Sequence, residues 1–433
     1  MNFPNKPSKT KLFTLCALTL SMSLASSVTF ADSFVIKNAK VHTATQDGVL
    51  NNATIVVKDG VITAINPRSH NVRNVIDAEG KDVTPGLIGV MNSLGLIEVN
   101  AVSGTRDASE KKADITFDTS KAFNPKSTIL PYARKGGVTS NIVSPLGGES
   151  MFRGQSFAVN LSGDFDSVLA SDRAVVIDLG ATHEGSRATH IQTLINTLED
   201  AQEKLADKKA AAEKANASDS EDKAKDKKED KLKRDEIIVN ELLAGTKTLV
   251  AFAERATDLL VLIDIKQRFN LDVVIVGASD AVLIQKELVK ADIPVLINTY
   301  SNLPTSFDTL NSSLDTATVL IKAGLKVGLY LDDAHKLDQL RYLAGSAVAN
   351  GVAPEDALEA ITANLADIFK LNTGKIAVGK KADIVMWSAD PFEISTKVER
   401  LWIEGEEASL KSRQDALRDR YMAESEMPRA YIK

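Results

Sequence analysis

The 433-residue chain has one cysteine, two tryptophans and five histidines, and aromatic residues make up 5% of it. Cys16 lies inside the N-terminal apolar run, so a chain cleaved after Ala31 has no thiol and disulfides cannot stabilise it. The scarcity of aromatics argues against a stacking surface for single-stranded nucleic acid. A formal net charge of -6 gives no reason to expect nucleic acid or an anionic membrane as a partner. No Gly-x-Gly-x-x-Gly or P-loop pattern follows any strand-like segment, which weakens a nucleotide-binding reading. Gly-x-Ser-x-Gly is missing too: "LGGESMFRGQSF" offers Ser150 and Ser156 but no identifiable base. Its glycines, Gly147, Gly148 and Gly154, suggest a loop over a ligand site or simply tight turns.

The N-terminus carries a clear signal. Lys6, Lys9 and Lys11 precede "LFTLCALTLSMSLASSVTF", and small residues lead up to Ala31. A basic start, a short apolar stretch and a small-residue cleavage point predict a secretory signal over residues 1–31. The alternative is a membrane anchor, which the Ser and Thr content of the run disfavours. Leu15 before Cys16 is too large for lipoprotein processing. The expectation is a periplasmic or secreted protein with no membrane span after cleavage.

Beyond that signal, both ends read as short strands. "SFVIKNAKVHTAT" alternates, and "ATIVVKDGVITAI" turns at Asp59-Gly60, a hairpin signal. "GKIAVGKKADIVMWSADPF" and "VERLWIEGE" return to the same style near the C-terminus. The middle instead alternates apolar strands with helices: "GGVTSNIVSP", "RAVVIDLG", "TLVAFAERA", "LDVVIVGASDA", "IPVLINTYSN" and "GLKVGLYLDDAH". Continuous Val/Ile/Leu strands separated by helices predict a parallel sheet covered on both faces. Seven or eight such strands fit a (β/α)8 barrel. The predicted layout is an α/β barrel (85–372) inserted in a β-sandwich assembled from 32–84 and 373–410, followed by a tail, 411–433. Residues 203–236, nearly all Ala, Lys, Asp and Glu, read as a solvated insertion or, alternatively, a charged docking arm.

Three segments together resemble the amidohydrolase superfamily, its imidazolonepropionase-like branch in particular. "VIDAEGKDVTPGLIGVMNSLG" is similar to the family's passage from sandwich to barrel, where the usual text is V-x-P-G-x-I-D-x-H-x-H. "GKIAVGKKADIVMWSADPF" resembles its C-terminal return to the sandwich, and "LDDAHKLDQLRYLAGSAVANGVAPEDALEAITANLADIFKL" its last barrel strand and following helices. The likeness runs from Ser33 to about Ala408, the charged insertion excepted. It implies hydrolysis of C–N bonds in amides or cyclic amides by water activated on zinc or another divalent ion.

This chain departs from the family where the ion would bind. The paired histidine positions hold Met91 and Ser93, and Gly89 stands for the aspartate before them. On the later strands Phe252 and Val276 stand where relatives carry histidine. A thioether is a soft ligand and a neutral hydroxyl a weak one, so no metal ligand and no cofactor are assigned. The last-strand acid persists as Asp332, followed by Asp333 and His335. A rebuilt site from Asp332, Glu254 and His335 as catalytic groups is one reading, with Arg255, Ser93, Asn92 and His183 contacting substrate. The other is ordinary polar loop residues, with Asp332 or Asp333 capping the next helix. Of the remaining histidines, His42 and His70 lie in the sandwich segments.

Three functions stay open: an exported C–N hydrolase whose metal site is degraded, a non-catalytic protein binding a small ligand in the barrel mouth, and an interaction protein using the charged segment. Relatives often dimerise, so a homodimer is an expectation.

Overall fold

The computed structural model describes residues 33–180, 186–217 and 232–422. The expected export signal, His183, the middle of the charged segment and the end of the tail lie outside the described residues.

Five N-terminal strands come first: β1 (Phe34–His42), β2 (Val49–Lys58), β3 (Val61–Ile65), β4 (Asn74–Asp77) and β5 (Asp82–Pro85). The β2–β3 hairpin turns at Asp59 and Gly60, whose φ values of 50° and 77° give the twist that two-residue hairpins favour. From Gly86 the chain enters a second sheet, whose strands lie in sequence order: β6 (Leu87–Asn92), β7 (Val138–Val143), β8 (Phe152–Asn160), β9 (Val168–Asp178), β10 (Thr248–Ala253), β11 (Val273–Gly277), β12 (Val295–Ile297) and β13 (Val327–Leu329). It then returns to the first sheet as β14 (Ile384–Trp387), β15 (Val398–Ile403) and β16 (Glu406–Glu407). There β14 pairs antiparallel with β5, so the two ends of the chain form one sheet. Phe34 from one end stacks on Trp402 from the other, ring centroids 5.2 Å apart.

The second sheet curls into the expected barrel. Its seam is bridged by residues 360 and 361: Leu329 N donates to Ala360 O and Ile88 N to Ile361 O, both at 2.9 Å. Helices cover the outside: α1 (Ile129–Arg134), α2 (Arg187–Ala217), α3 (Arg234–Leu243), α4 (Ala256–Phe269), α5 (Gln285–Ala291), α6 (Thr316–Lys322), and α7 (Leu340–Ala349), α8 (Pro354–Glu359) and α9 (Ala363–Ile368) after the last strand. The first stretch of the charged insertion continues α2, with residues 203–211 exposed. Among the described residues no helix is long and apolar enough to cross a membrane.

One barrel strand departs from the regular alternation. The segment read as a glycine-rich loop contains β8, which runs antiparallel to both β7 and β9. It is linked to them by loops rather than helices. A β-bulge interrupts its pairing with β9: between Phe152 and Gly154 the register shifts, and Gly154 takes φ +116°. A Cβ there would lie 2.5 Å from Phe117 O, so this glycine serves a strand, not a flexible turn.

Aliphatic side chains fill the barrel interior, among them Ile88, Val90, Ile142, Val176, Val250 and Val274. Layers of branched side chains make such a barrel a packed core rather than a pore.

Candidate active site at the barrel mouth

The parallel strands deliver their last residues to one end of the barrel, where active sites of this architecture sit. After β10 comes Glu254, after β11 Ser279, after β12 Asn298, and after β13 Tyr330 and Asp332. These residues line a cleft of about 240 Å³. The segment between β12 and α6 supplies a hydroxyl-rich wall of Ser301, Thr305, Thr309, Ser312 and Ser313, with Leu303 beside them.

Ion pairs fix that wall. Arg187 Nε lies 3.0 Å from Asp258 Oδ2, and its Nη2 meets Asp308. Arg255 Nε reaches Asp308 Oδ1 at 2.6 Å, and Asn311 Nδ2 donates to Asp280 Oδ1 at 2.6 Å. Arg255 therefore acts on the wall through Asp308 and is not among the cleft-lining residues.

Glu254 is anchored on one side only. Its Oε2 accepts hydrogen bonds from Ser279 N at 2.9 Å and Ser279 Oγ at 2.7 Å. Its Oε1 lies over Gly277, where a Cβ would be closer than side chains tolerate, and Gly277 has φ +94°. Burial pushes the Glu254 carboxyl above its ordinary pKa, and the carboxylates of Asp308 and Asp178 push the same way against the Ser279 hydrogen bonds. Burial also pushes the Tyr330 phenol up, reinforced by Glu254 and Asp332. Tyr330 thus stays a neutral hydroxyl donor.

A cation sits at the rim beside them. Arg153, on the β8 bulge, pairs with Asp178 at the end of β9. Its guanidinium carbon lies 3.9 Å from the centroid of the Phe252 ring. Gly180 N donates to Asp178 Oδ1 at 2.7 Å and holds that carboxylate in place.

At the positions that the resemblance would give to histidine, the residues present do not fit a divalent ion. Met91 and Val276 belong to the apolar cluster inside the barrel, and Phe252 packs against it. None supplies a nitrogen or oxygen donor, and the guanidinium over Phe252 would repel a second cation. Met91 also has φ +58°, at a register shift between Val90 and Asn92. That bulge turns Met91 inward with Ile88 and Val90. Among the described residues, no group of three or more His, Cys, Asp or Glu side chains is placed to hold a metal ion.

Of the sequence-predicted residues, Glu254 and Asp332 come together in the cleft. His335 does not: its Nε2 lies 3.0 Å from Glu98 O. Asp333 accepts from His335 N at 3.0 Å and caps the following turn, as the alternative reading had it for this residue. Asn92 exchanges amide hydrogen bonds with Asn141 at 2.9 and 3.0 Å, so its polar atoms serve the β6–β7 pair. Ser93 is buried just past that strand. The sequence reading missed Tyr330, Ser279, Asp178 and Arg153. Tyr330 had a signal, since it sits two residues before Asp332.

A sequence profile described as Amidohydrolase family matches residues 178–408. The chain is 23% identical over 392 residues to the amidohydrolase tasK of Hapsidospora irregularis, covering 81% of this chain and 39% of that protein. It thus spans about two fifths of that relative's length. Among solved structures, an amidohydrolase from Thermotoga maritima superposes with TM-score 0.76 at 23% identity, covering 87% of this chain and 99% of that one. A putative prolidase from Bifidobacterium longum gives 0.54 at 18% identity, with 91% and 100% covered.

Proposed function

Since the chain belongs to the amidohydrolase family, we propose that its barrel mouth hydrolyses a C–N bond of a small amide or cyclic amide using carboxyl groups in place of an ion. The observation that carries this reading is the pairing of Glu254 and Asp332 in one cleft, with Glu254 desolvated and pushed up in pKa. Two carboxyls in unlike surroundings divide acid and base roles between them.

Asp332 removes a proton from water as the water oxygen bonds to the carbonyl carbon, and the carbonyl π pair moves onto oxygen. When that pair returns, the C–N bond breaks and the nitrogen takes the proton held on Glu254 Oε1. The products are a carboxylic acid and an amine. The proton on Asp332 passes back to Glu254 through solvent, which resets the pair. Ser279 keeps Oε2 engaged, so the proton resides on the oxygen that Gly277 leaves uncovered. Without an ion to lower the pKa of water, turnover is slow by the standard of metal-activated hydrolases. The basic start and apolar run of residues 1–31 support export of the protein before it acts.

The test is amine release from a panel of simple amides and cyclic imides by purified protein, with and without a chelator. Chelator-resistant turnover that disappears in Glu254→Gln and in Asp332→Asn supports the proposal. Turnover that the chelator abolishes and zinc restores overturns it.

A further inference from the structure

We propose that the cleft selects a small molecule carrying a cationic nitrogen, an alkylammonium or a guanidinium, alongside the bond to be cut. This rests on the reading of the cleft as the reaction site and adds the substrate class.

The charge layout around the mouth is one-sided. Three arginines lie near it, and each is turned to a carboxylate outside the cleft: Arg153 to Asp178, Arg187 to Asp258 and Asp308, Arg255 to Asp308. None of the three lines the cleft, and no lysine or histidine does. Glu254 and Asp332 do line it, and among the described residues neither forms an ion pair with a basic side chain. An anionic ligand entering here meets two carboxyls and no counter-charge.

The neutral groups favour the same class of ligand. The hydroxyls of Ser301 and Thr305 supply oxygen acceptors, which an ammonium with three N–H donors needs, while Asn298 Oδ1 and Thr309 Oγ1 already accept from backbone N–H groups. Tyr330 adds an aromatic ring to the same wall, and aromatic rings attract alkylammonium groups. Tyr330 is half-buried and lines the cleft, where its phenol can meet a ligand. Burial is the main cause of the raised pKa of both Glu254 and Tyr330, and neighbouring carboxylates add to it at each.

The experiment is calorimetric titration of the full chain with n-butylammonium, n-butanol and butyrate, three probes of nearly equal shape. The expected result is butylammonium binding roughly tenfold or more tighter than butanol, with butyrate weakest. Raising the salt concentration should weaken butylammonium binding and leave butanol unchanged. Asp332→Asn should lower the butylammonium affinity roughly tenfold while Asp332→Glu keeps most of it. Equal or better binding of butyrate, or a butylammonium affinity that salt does not change, overturns the inference on the wild-type protein alone, whatever the variants do. Turnover of β-alaninamide against propionamide separates this inference from the hydrolytic reading. Equal turnover of the two leaves hydrolysis standing and overturns the cation preference. Butylammonium binding without amine release from either amide upholds the preference and overturns hydrolysis.

Discussion

The guanidinium carbon of Arg153 lies 3.9 Å from the centroid of the Phe252 ring, and the same guanidinium pairs with Asp178. A protein-borne cation thus occupies the rim of the barrel beside positions where the resemblance would place an ion's ligands. Asp178 is mostly buried, its side chain 9% exposed. Removing Arg153 takes a positive charge away from a carboxylate in a poorly solvated place. Arg153→Met should destabilise the fold by about 2 kcal/mol, most of it from the lost charge partner of the buried Asp178 carboxylate. The double variant Arg153→Met/Asp178→Asn should recover most of that loss. Urea denaturation of the two single variants and the double closes the cycle. A double variant no better than Arg153→Met alone would show that stacking on Phe252, not the ion pair, makes the contribution.

Gly154 sets where Arg153 points. Its φ of +116° and the 2.5 Å separation between a would-be Cβ and Phe117 O leave no room for a side chain. Gly154→Ala should cost about 2 kcal/mol or more, since it combines backbone strain with a steric clash. It should also loosen Arg153 from Phe252 and Asp178. Thermal melting measures the first effect. The second predicts that Gly154→Ala and Arg153→Met are less than additive, because both disturb one contact set.

Much of this architecture was readable in the residues, and the parts that were not share a cause. The runs around Val175, Val250 and Val274 announce parallel strands because both faces of those strands are buried. Asp59-Gly60 marks a hairpin because few other residues accept two left-handed positions in succession. The bulges at Met91 and Arg153 have no such signature. A bulge follows from packing across strands, and Met91 adopts φ +58° despite its side chain, in a cluster with Ile88 and Val90. The glycines around Arg153 therefore read as a loop, and β8 was hidden in it. Glu254 and Asp332 could be placed at one end of the barrel because strand ends are visible in sequence. His335 was misplaced because its tie to Glu98 O crosses from a distant loop. Arg153 lay inside the missed strand.

Gly277 controls where the Glu254 carboxyl sits. With φ +94° and Glu254 Oε1 directly over its α-carbon, any side chain there displaces the carboxyl. Gly277→Ala should therefore reduce amine release at least as strongly as Glu254→Gln does. The global fold should survive, because the substitution sits at the rim rather than in the barrel interior. Near-ultraviolet circular dichroism alongside the turnover assay checks both halves. Full activity in a folded Gly277→Ala protein would remove Glu254 Oε1 from the mechanism.

Asp383 offers a pH-dependent readout far from the cleft. It is buried beside the junction of the two sheets, accepting from Thr373 Oγ1 at 2.5 Å and Glu404 N at 2.7 Å. Burial pushes its carboxyl up from 3.8 to about 6. An acid with a raised pKa holds its proton more tightly in the folded chain than in the unfolded one. Between those two values the folded state carries the extra proton, so this group's contribution to stability falls as pH rises through the window. It is largest below pH 3.8 and has fallen by about 3 kcal/mol above pH 6. Asp383→Asn cannot titrate and should lack that component. Urea midpoints of the wild type and the variant, taken from pH 4 to pH 7, should converge or diverge with pH accordingly: the wild type gains relative to Asp383→Asn on the acid side. A constant difference across the range would mean that Asp383 takes up protons alike in the folded and unfolded chain.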